Sequence, residues 1–260
     1  MSIDLSIILP TCNRAPLLED ALGSIWSRLR CKYEVIVVDG ASTDGTQKVL
    51  EDVKPWMGDS LKVIREPQRH GFVRAANKGF RAATGRNVMW MNDDARPLPH
   101  ALDRAVAQLD ASPPDVGLLA MYHCCNATRN IAYQTVHVGK TYRLLHIRGT
   151  LYANFGMAKR TTFERLGFFD ERYFLNAADP DFSLKCWNEG LRVVPAEGVL
   201  IDHDEHDDDR RFEDSGRSRN DNDLLFSKWD LPAKNISHND FDPANPCTLR
   251  GLRRRASIAA

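Results

Sequence analysis

Two neighbouring acids follow a short apolar run in this chain. The run is Val88–Met91, and Asn92, Asp93 and Asp94 come directly after it. Four successive apolar residues are typical of a central strand covered on both faces, so we expect the acids at its carboxyl end. Adjacent carboxylates repel each other and are costly to desolvate, and a divalent cation removes both problems. Mg²⁺ and Mn²⁺ suit such oxygen ligands and also suit phosphates, so the stretch indicates a metal–diphosphate site. The alternative is a solvated acidic turn.

Strands and helices alternate before this stretch and would position it. The predicted order is strand 5–9, helix 15–29, strand 33–38, a helix ending near 53, strand 61–64, helix 71–83 and strand 88–91. Such alternation predicts a parallel sheet with right-handed crossovers. In open sheets of this kind ligands bind at the carboxyl ends of the strands, which is where the acids fall.

The pattern is weaker in the second half of the chain. We predict helix 100–109, strand 116–120, an exposed or edge strand 133–138, a strand ending near 159, helix 161–166, helix 179–190, and two strands at 191–195 and 199–201. From Ser215 onwards there is little periodicity, so loop, a short helix and a mobile basic end are expected.

Composition excludes several classes of protein. The formal net charge is zero, so bulk attraction to nucleic acid is not expected. No apolar run reaches the ~18 residues that span a bilayer, and the start Met-Ser-Ile-Asp does not predict a signal peptide. The six cysteines include no C-x-x-C pair, so no zinc site is predicted, and reduced cysteines fit a cytoplasmic protein.

Four sequence blocks, taken in order, resemble the family 2 glycosyltransferases with the GT-A fold. They are SIILPTCNR at 6–14, VVDGASTDGT at 37–46, NDD at 92–94, and GFFDERYF at 167–174 leading to Asp179-Pro180-Asp181. Each block alone is modest, but together they extend the resemblance over residues 3–203, about four-fifths of the chain. The resemblance implies a nucleotide-sugar donor, a divalent metal and an inverting transfer to an acceptor hydroxyl.

The fold that this resemblance implies is α/β, with a Rossmann-like, mostly parallel central sheet flanked by helices and a small acceptor-side subregion. We expect one GT-A domain over residues 1–212. Within it, residues 1–110 would form the nucleotide-sugar half and residues 115–212 the acceptor half. Residues 213–260 would be a partly irregular C-terminal extension.

The resemblance assigns nucleotide-sugar binding to residues at two strand ends. Thr11, Asn13 and Arg14 follow the first strand, where Arg14 would meet a phosphate and Thr11 the base or ribose. Asp39 ends the second strand, and a carboxylate there can accept the imide N–H of uracil or thymine. The alternatives are a strand-end turn with an exposed arginine for Arg14 and a helix-capping acid for Asp39.

Further binding residues lie around the acid pair. Asn77 and Arg74 precede the strand. By resemblance Asn77 would bind the donor, with a packing role as the alternative, and Arg74 would add positive charge near the base or phosphate. Asp94 would ligate Mn²⁺ or Mg²⁺ directly, while Asp93 would hold the ribose or a metal-bound water. His203, after a late strand, would be a second metal ligand, although a lone histidine is more often a surface residue. Asn92 stands where the family usually has the first acid of its D-x-D motif, which lowers the charge of the site.

Asp179 is the predicted general base. Inverting transfer needs one carboxylate beside the acceptor hydroxyl, opposite the leaving diphosphate. By resemblance Asp179 takes this role and Asp181 is a structural acid at a helix start. Ala178 replaces the glutamate that relatives carry, which affects acceptor positioning. The alternative is that Asp179 and Asp181 only cap the helix.

The predicted function is therefore metal-dependent, inverting transfer of a sugar from a UDP- or dTDP-sugar to a saccharide, lipid-linked or other hydroxyl acceptor. A non-catalytic nucleotide-sugar-binding protein is the alternative that Asn92 and Ala178 leave open. A nucleotidyltransferase is disfavoured because the loop after the first strand lacks the glycine-rich, lysine-containing sequence of that class. The sequence is also compatible with a homodimer. It is likewise compatible with peripheral contact between the basic end, at Arg250 and 253–255, and the inner face of a membrane.

Overall fold

The computed structural model describes residues 2–204, 214–231 and 241. Within these ranges eleven strands form one sheet, and helices cover both of its faces. The strands are β1 (Leu5–Thr11), β2 (Tyr33–Asp39), β3 (Leu61–Arg65), β4 (Asn87–Trp90), β5 (Ala95–Pro97), β6 (Val116–Cys124), β7 (Ile131–His137), β8 (Lys140–Ile147), β9 (Thr150–Tyr152), β10 (Gly156–Lys159) and β11 (Arg192–His203). The helices are α1 (Ala15–Arg28), α2 (Thr46–Met57), α3 (Phe72–Ala82), α4 (Ala101–Ala111), α5 (Arg160–Leu166), α6 (Ala178–Asn188) and α7 (Ser215–Lys228), with a 3₁₀ turn at Gly58–Ser60.

The sheet has a parallel half and a mixed half. Its strand order is β3-β2-β1-β4-β10-β6-β11-β5, and β8 joins β7 and β9 to β6. The first four strands in this order are parallel, as the alternation of strands and helices predicted. β10 is antiparallel to both of its neighbours, whereas β11 is parallel to β6 and antiparallel to β5. The predicted α/β class, with a central sheet flanked by helices, is confirmed.

Strand β1 is buried along its whole length because both faces of the sheet carry a core. Ile7 and Leu9 pack in one core with Leu18 and Leu22 of α1, while Ile8 points into the core on the opposite face. This alternation follows from the two-residue period of a strand, and the α1 positions follow the helical spacing seen in the sequence. The carboxyl ends of β1 and β4 therefore lie in the packed core of the protein.

The predicted elements of the second half differ from the structure in two ways. The strands expected at 191–195 and 199–201 are one strand, β11, with an irregular register between Pro195 and Leu200. The short strands β5 and β9 and the longer β8 were not predicted. Their sequences are short or rich in polar residues, so hydrophobic alternation is weak there. The predicted strand at 133–138 is β7, which pairs with β8.

Helix α7 was not evident from apolar periodicity, and polar contacts hold it in place. The Asp221 carboxylate accepts hydrogen bonds from the backbone N–H groups of Phe174, Leu175 and Asn176, at 3.0, 2.8 and 2.9 Å. Leu225 on the same helix is buried in the core. The segment that leads into α6 is therefore tied to α7, although the two lie about 45 residues apart in the sequence.

The prediction of membrane contact by the basic end cannot be compared with the fold, because Arg250 and residues 253–255 lie outside the described residues. Of the helices that the structure describes, none combines the length and apolar character needed to cross a bilayer.

The substitution Asp221→Ala tests how strongly α7 anchors the fold. It removes three hydrogen bonds and leaves three partly buried N–H groups to find other partners, so we expect a loss of ~2–4 kcal/mol in the free energy of unfolding. Urea denaturation followed by circular dichroism measures this loss. Asn220→Ala, an exposed position on the same helix, is the control and should change the unfolding free energy by less than ~0.5 kcal/mol. Equal midpoints for the two variants would contradict an anchoring role.

Candidate active site

One cleft of about 570 Å³ opens at the carboxyl ends of β1 and β4. Six of the residues predicted from the sequence to bind or react lie in its wall: Thr11, Arg14, Asp93, Asp94, Asp179 and His203. They come from the end of β1, the start of α1, the loop after β4, the first turn of α6 and the end of β11. The fold thus brings distant parts of the chain to a common cavity.

Arg14 lies between the two acids of the loop after β4. Its Nη1 is 3.1 Å from Asp93 Oδ1 and 2.8 Å from Asp94 Oδ2, and all three side chains are almost fully buried. Asp93 also accepts a hydrogen bond from the Thr11 hydroxyl at 2.8 Å. Two buried carboxylates side by side are tolerated only when paired, and a guanidinium can serve both at once.

His203, at the end of β11, lies beside Asp94. The β5–β11 pairing aligns His203 with Ala95, the residue that follows Asp94, and His203 Nε2 lies 3.2 Å from Asp94 Oδ1. Burial alone would raise the pKa of the Asp94 carboxyl, but His203 and Arg14 outweigh burial and hold this pKa below its usual value. Asp94 is therefore ionised at neutral pH.

The residues at this end of the cleft fit a divalent cation. Asp94 Oδ1 is buried and has no well-aligned hydrogen-bond donor, and the His203 imidazole lies beside it. A carboxylate with an imidazole suits Mn²⁺, and a carboxylate alone suits Mg²⁺. In the described ranges no cluster of three or more histidine, cysteine, aspartate or glutamate side chains has the arrangement of a metal site. A cation here would therefore need further oxygen ligands from a diphosphate or from water.

Asp179 has a different environment, in the wall of the cleft contributed by α6. Its Oδ2 accepts a hydrogen bond from Asn154 Nδ2 at 3.2 Å, and the Asn154 carbonyl accepts one from the Trp90 indole at 2.7 Å. No cation pairs with this carboxylate among the contacts of the described residues. Burial raises the pKa of Asp179 from the usual 3.8 to about 7.

Asp181, two residues further on, makes contacts that stabilise the fold. It is completely buried and accepts hydrogen bonds from the Tyr173 hydroxyl at 3.2 Å and the Trp229 indole at 2.7 Å. Lys228 lies 2.7 Å from it, and Lys185 lies 3.9 Å away on the same helix. The helix that carries Asp179 is therefore joined to the end of α7.

Four of the predicted binding residues do not line the cleft: Asn13, Asp39, Arg74 and Asn77. The Asn13 side chain accepts the Thr43 N–H at 2.7 Å, and Asp39 accepts the Ser42 N–H at 2.9 Å. Asn77 bonds both the N–H and the carbonyl of Phe169, each at 3.0 Å. Arg74 is half-exposed and faces Glu171. These side chains order the loops around the cleft, and their direct binding roles stay predictions.

The cleft also contains residues that the sequence did not point to. Glu66 follows β3 at the edge where Asp39 ends β2, so the strand-end rule already applied to β1, β2 and β4 would have found it. Arg69 lies nearby and pairs with Asp214, which precedes α7. Asp214 and Ser218 form the side of the cleft that α7 contributes, and no sequence pattern predicted this.

Gly71 allows the two halves of the cleft to meet. Its φ of +90° is a conformation that other residues rarely adopt, and a Cβ there would lie 2.5 Å from the Phe174 carbonyl oxygen. The start of α3 can thus touch the loop that precedes α6.

The family model for glycosyl transferase family 2 matches residues 6–174. This chain belongs to that family. A glycosyltransferase of PGL/p-HBAD biosynthesis from Mycobacterium tuberculosis strain H37Ra is 28% identical over 197 residues, which are 75% of this chain and 74% of the relative. The glycosyltransferase AglE of Haloferax volcanii is 28% identical over 113 residues, or 43% of this chain. The chain matches only 37% of the length of AglE and 33% of an uncharacterised Nostoc glycosyltransferase.

Solved structures of glycosyltransferases share the GT-A fold with this family 2 member. A mannosyltransferase from Pyrobaculum calidifontis, in complex with GDP-Man and Mn²⁺, aligns with a TM-score of 0.58 and 24% identity over 78% of this chain and 57% of its own. Residues 1–349 of S. aureus TarS, in complex with UDP-GlcNAc, align with a TM-score of 0.62 and 21% identity over 79% of this chain and 60% of that one. The predicted family and fold are confirmed.

The raised pKa of Asp179 predicts how stability depends on pH. The folded protein keeps the Asp179 proton up to about pH 7, whereas the unfolded chain releases it near 3.8. The folded state therefore binds more protons in this interval, and this group makes the protein less stable as the pH rises through it. Asp179→Asn cannot ionise, so its melting temperature should exceed that of the wild type by more at pH 8 than at pH 5.

Differential scanning fluorimetry at the two pH values measures this difference. Asp59→Asn removes an exposed acid and should follow the wild type at both pH values. A constant offset between Asp179→Asn and the wild type would show that the carboxyl has an ordinary pKa.

Proposed function

We propose that this chain transfers a sugar, with inversion, from a UDP- or dTDP-sugar to an acceptor hydroxyl in the presence of Mn²⁺ or Mg²⁺. The observation that carries the proposal is the shared cleft, which has Arg14, Asp94 and His203 at one end and Asp179 in the wall from α6. A divalent cation held at Asp94 would suit a diphosphate, and an acid of raised pKa suits proton transfer, so the cleft would supply both parts of the reaction.

Donor binding is assigned to the end of the cleft formed by β1 and the loop after β4. Arg14 would contribute positive charge to the diphosphate, and Asp93, held by Thr11, would accept a hydrogen bond from a ribose hydroxyl. Asp94 and His203 would hold the divalent cation, which would offset the negative charge that develops on the leaving diphosphate. Solved relatives in complex with UDP-GlcNAc and with GDP-Man and Mn²⁺ support a nucleotide-sugar donor and a cation.

Proton transfer is assigned to Asp179. Its carboxylate would take the proton of the acceptor hydroxyl while the hydroxyl oxygen bonds to the anomeric carbon. The bond from this carbon to the diphosphate oxygen breaks, and its electron pair leaves with the diphosphate. Attack from the face opposite the leaving group inverts the anomeric centre. Asn154 would keep the Asp179 carboxylate oriented towards the cleft.

The substitution Asp179→Asn tests the proposed base. Asparagine has nearly the same shape but cannot accept the proton, so transfer should fall by ~10²–10⁴-fold while donor affinity stays within ~3-fold of the wild type. Radiolabelled sugar transfer and isothermal titration calorimetry measure the two quantities. Wild-type kcat/KM should also rise with pH through about 7, because the base must be ionised. Full transfer by the variant would remove Asp179 from the mechanism.

The substitution Asp94→Asn tests the proposed cation site. In the wild type, UDP or dTDP with Mn²⁺ should stabilise the fold by ~2–4 kcal/mol when the ligand is present at 100- to 1,000-fold its dissociation constant. Asp94→Asn should abolish the part of this stabilisation that requires Mn²⁺ and leave any metal-independent part. Thermal shifts with each nucleotide, with and without Mn²⁺, separate the two parts. A Mn²⁺ effect that survives in the variant would place the cation elsewhere.

A further inference from the structure

Three of the four edge strands in the described part of the sheet are protected against pairing with another strand. β3 and β5 end the main strand order, and β7 and β9 end the branch that starts at β6. β3 has the cations Lys62 and Arg65, and β5 and β9 are only three residues long. Charged residues and short length are usual devices by which a sheet edge avoids pairing with another chain.

β7, the fourth edge strand, has neither protection. Its seven residues, Ile131–His137, include no aspartate, glutamate, lysine, arginine or proline. Within the described part of the chain it pairs with β8 alone, so its outer edge has no neighbouring strand. The ring of Phe241 packs against Tyr133 near the start of β7, with 5.2 Å between the ring centres, but 134–137 are exposed. The second half of β7 is therefore accessible to another strand.

The hairpin of β7 and β8 extends past the strands that support it. β6 pairs with β8 at 142–143, and β9 pairs with it at 145–147. The tip of the hairpin, 136–141, has no third strand among the described residues, and a two-stranded ribbon alone is marginally stable in water. Val136 and Val138 in this tip are 70% and 87% exposed, more than any other large hydrophobic side chain of the described residues.

The turn of the hairpin contains a valine that does not suit it. Val138 and Gly139 form the two-residue loop, with φ values of +45° and +73°. Such a turn favours asparagine, aspartate or glycine at its first position, and a β-branched residue is strained at positive φ. Folding of the hairpin alone does not account for this valine. A contact made by its exposed apolar side chain would account for it.

We propose that β7 pairs with β7 of a second copy of this chain, antiparallel and across a two-fold axis. In such an interface the same surface serves both copies, so the strand must be complementary to itself. Like charges on facing strands would oppose the pairing, and β7 has no lysine, arginine or acid to place there. Main-chain hydrogen bonds at the sheet edge would supply affinity, and Val136 and Val138 would bury apolar surface against the other copy.

A second copy fits this hairpin better than an anionic membrane does. Segments that lie in a membrane interface combine lysine or arginine with large side chains such as tryptophan, phenylalanine and leucine. The tip at 136–141 has none of these large residues, and its one cation, Lys140, is paired with Asp202 at 3.0 Å. Pairing of two copies through β7 does not depend on the sugar transfer proposed above.

The test measures self-association of the full chain by sedimentation velocity. A contact between two hairpins buries less than the ~1,200 Å² of a standard interface, so we expect a dimer with a dissociation constant that is roughly micromolar. The sedimentation coefficient of the wild type should therefore rise between about 1 and 200 µM. Hydrogen–deuterium exchange at the two ends of this range locates the contact, and peptides that cover 134–138 should exchange more slowly at the higher concentration.

Two substitutions change the interface in different ways. Val136→Lys places a charge on the edge and should raise the dissociation constant of the dimer at least about 10-fold. Val138→Asn fits the turn better, so it should raise the melting temperature of the chain while it weakens the dimer. A role in folding alone would not move these two quantities in opposite directions. Val63→Lys is the matched control, because Val63 is a 47% exposed valine on the edge strand β3, and it should dimerise as the wild type does.

The proposal is wrong if the wild type stays monomeric over this range of concentration. It is also wrong if the folded Val136→Lys and Val138→Asn variants dimerise as tightly as the wild type, since the contact would then lie on another surface. Cosedimentation with phosphatidylcholine–phosphatidylglycerol vesicles is measured in parallel. If the wild type binds these vesicles without dimerising, and Val136→Lys binds them less, the hairpin contacts lipid and not a second copy.

Discussion

The charge balance around Asp93 and Asp94 is the constraint on which the cleft depends. Both carboxylates are buried at the end of a central strand, where desolvation opposes ionisation. The positive charge of Arg14 pairs with both carboxylates, and His203 lies beside Oδ1 of Asp94. Because these partners come from the start of α1 and the end of β11, the site forms only when the two halves of the sheet are joined. The mixed half of the sheet is therefore part of the site, because it contributes His203.

The sequence revealed the parts of the site that follow directly from strand ends. Asp94 and Arg14 were identified because apolar runs end at polar residues, and the four blocks gave the family. The proximity of His203 to Asp94 could not be derived in this way. It depends on β5, a strand of three residues that carries no alternating pattern, because the β5–β11 pairing is what aligns the end of β11 with the acid loop.

Asp39 and Asn77 show that strand ends and family likeness do not by themselves assign a ligand contact. Both fall where the resemblance expects ligand contacts, yet the hydrogen bonds of Asn77 go to Phe169 and one oxygen of Asp39 goes to the Ser42 backbone. A sequence motif indicates that a residue type matters at a position. It does not distinguish a side chain that contacts the ligand from one that stabilises the loop. Glu66 is the converse case, because it follows β3 directly and lines the cleft, yet none of the four sequence blocks includes it.

The wall of the cleft that carries Asp179 is tied to α7 by polar contacts, which hydrophobic patterns do not reveal. α7 has few apolar residues, and it is held by carboxylates and cations. Asp221 caps the loop that precedes α6, and Lys228 pairs with Asp181 within that helix. Each of these contacts satisfies a buried polar group, so each is geometrically specific where an apolar contact would tolerate sliding. A helix start that must present one carboxylate towards a cleft benefits from such specificity, since small displacements of a reacting group are costly.

The carboxyl groups of Asp94 and Asp179 line the same cleft but have different pKa values. Asp94 lies beside a guanidinium and an imidazole, which outweigh burial, so its pKa is held low and the carboxylate stays ionised. Asp179 has an amide as its neighbour, so burial dominates and raises its pKa to about 7. An acid that is always ionised makes a good ligand and a weak base, whereas an acid with a pKa near the ambient pH can both take and release a proton. The division of roles between the two aspartates follows from what the fold places next to each, and it needs no difference in residue type.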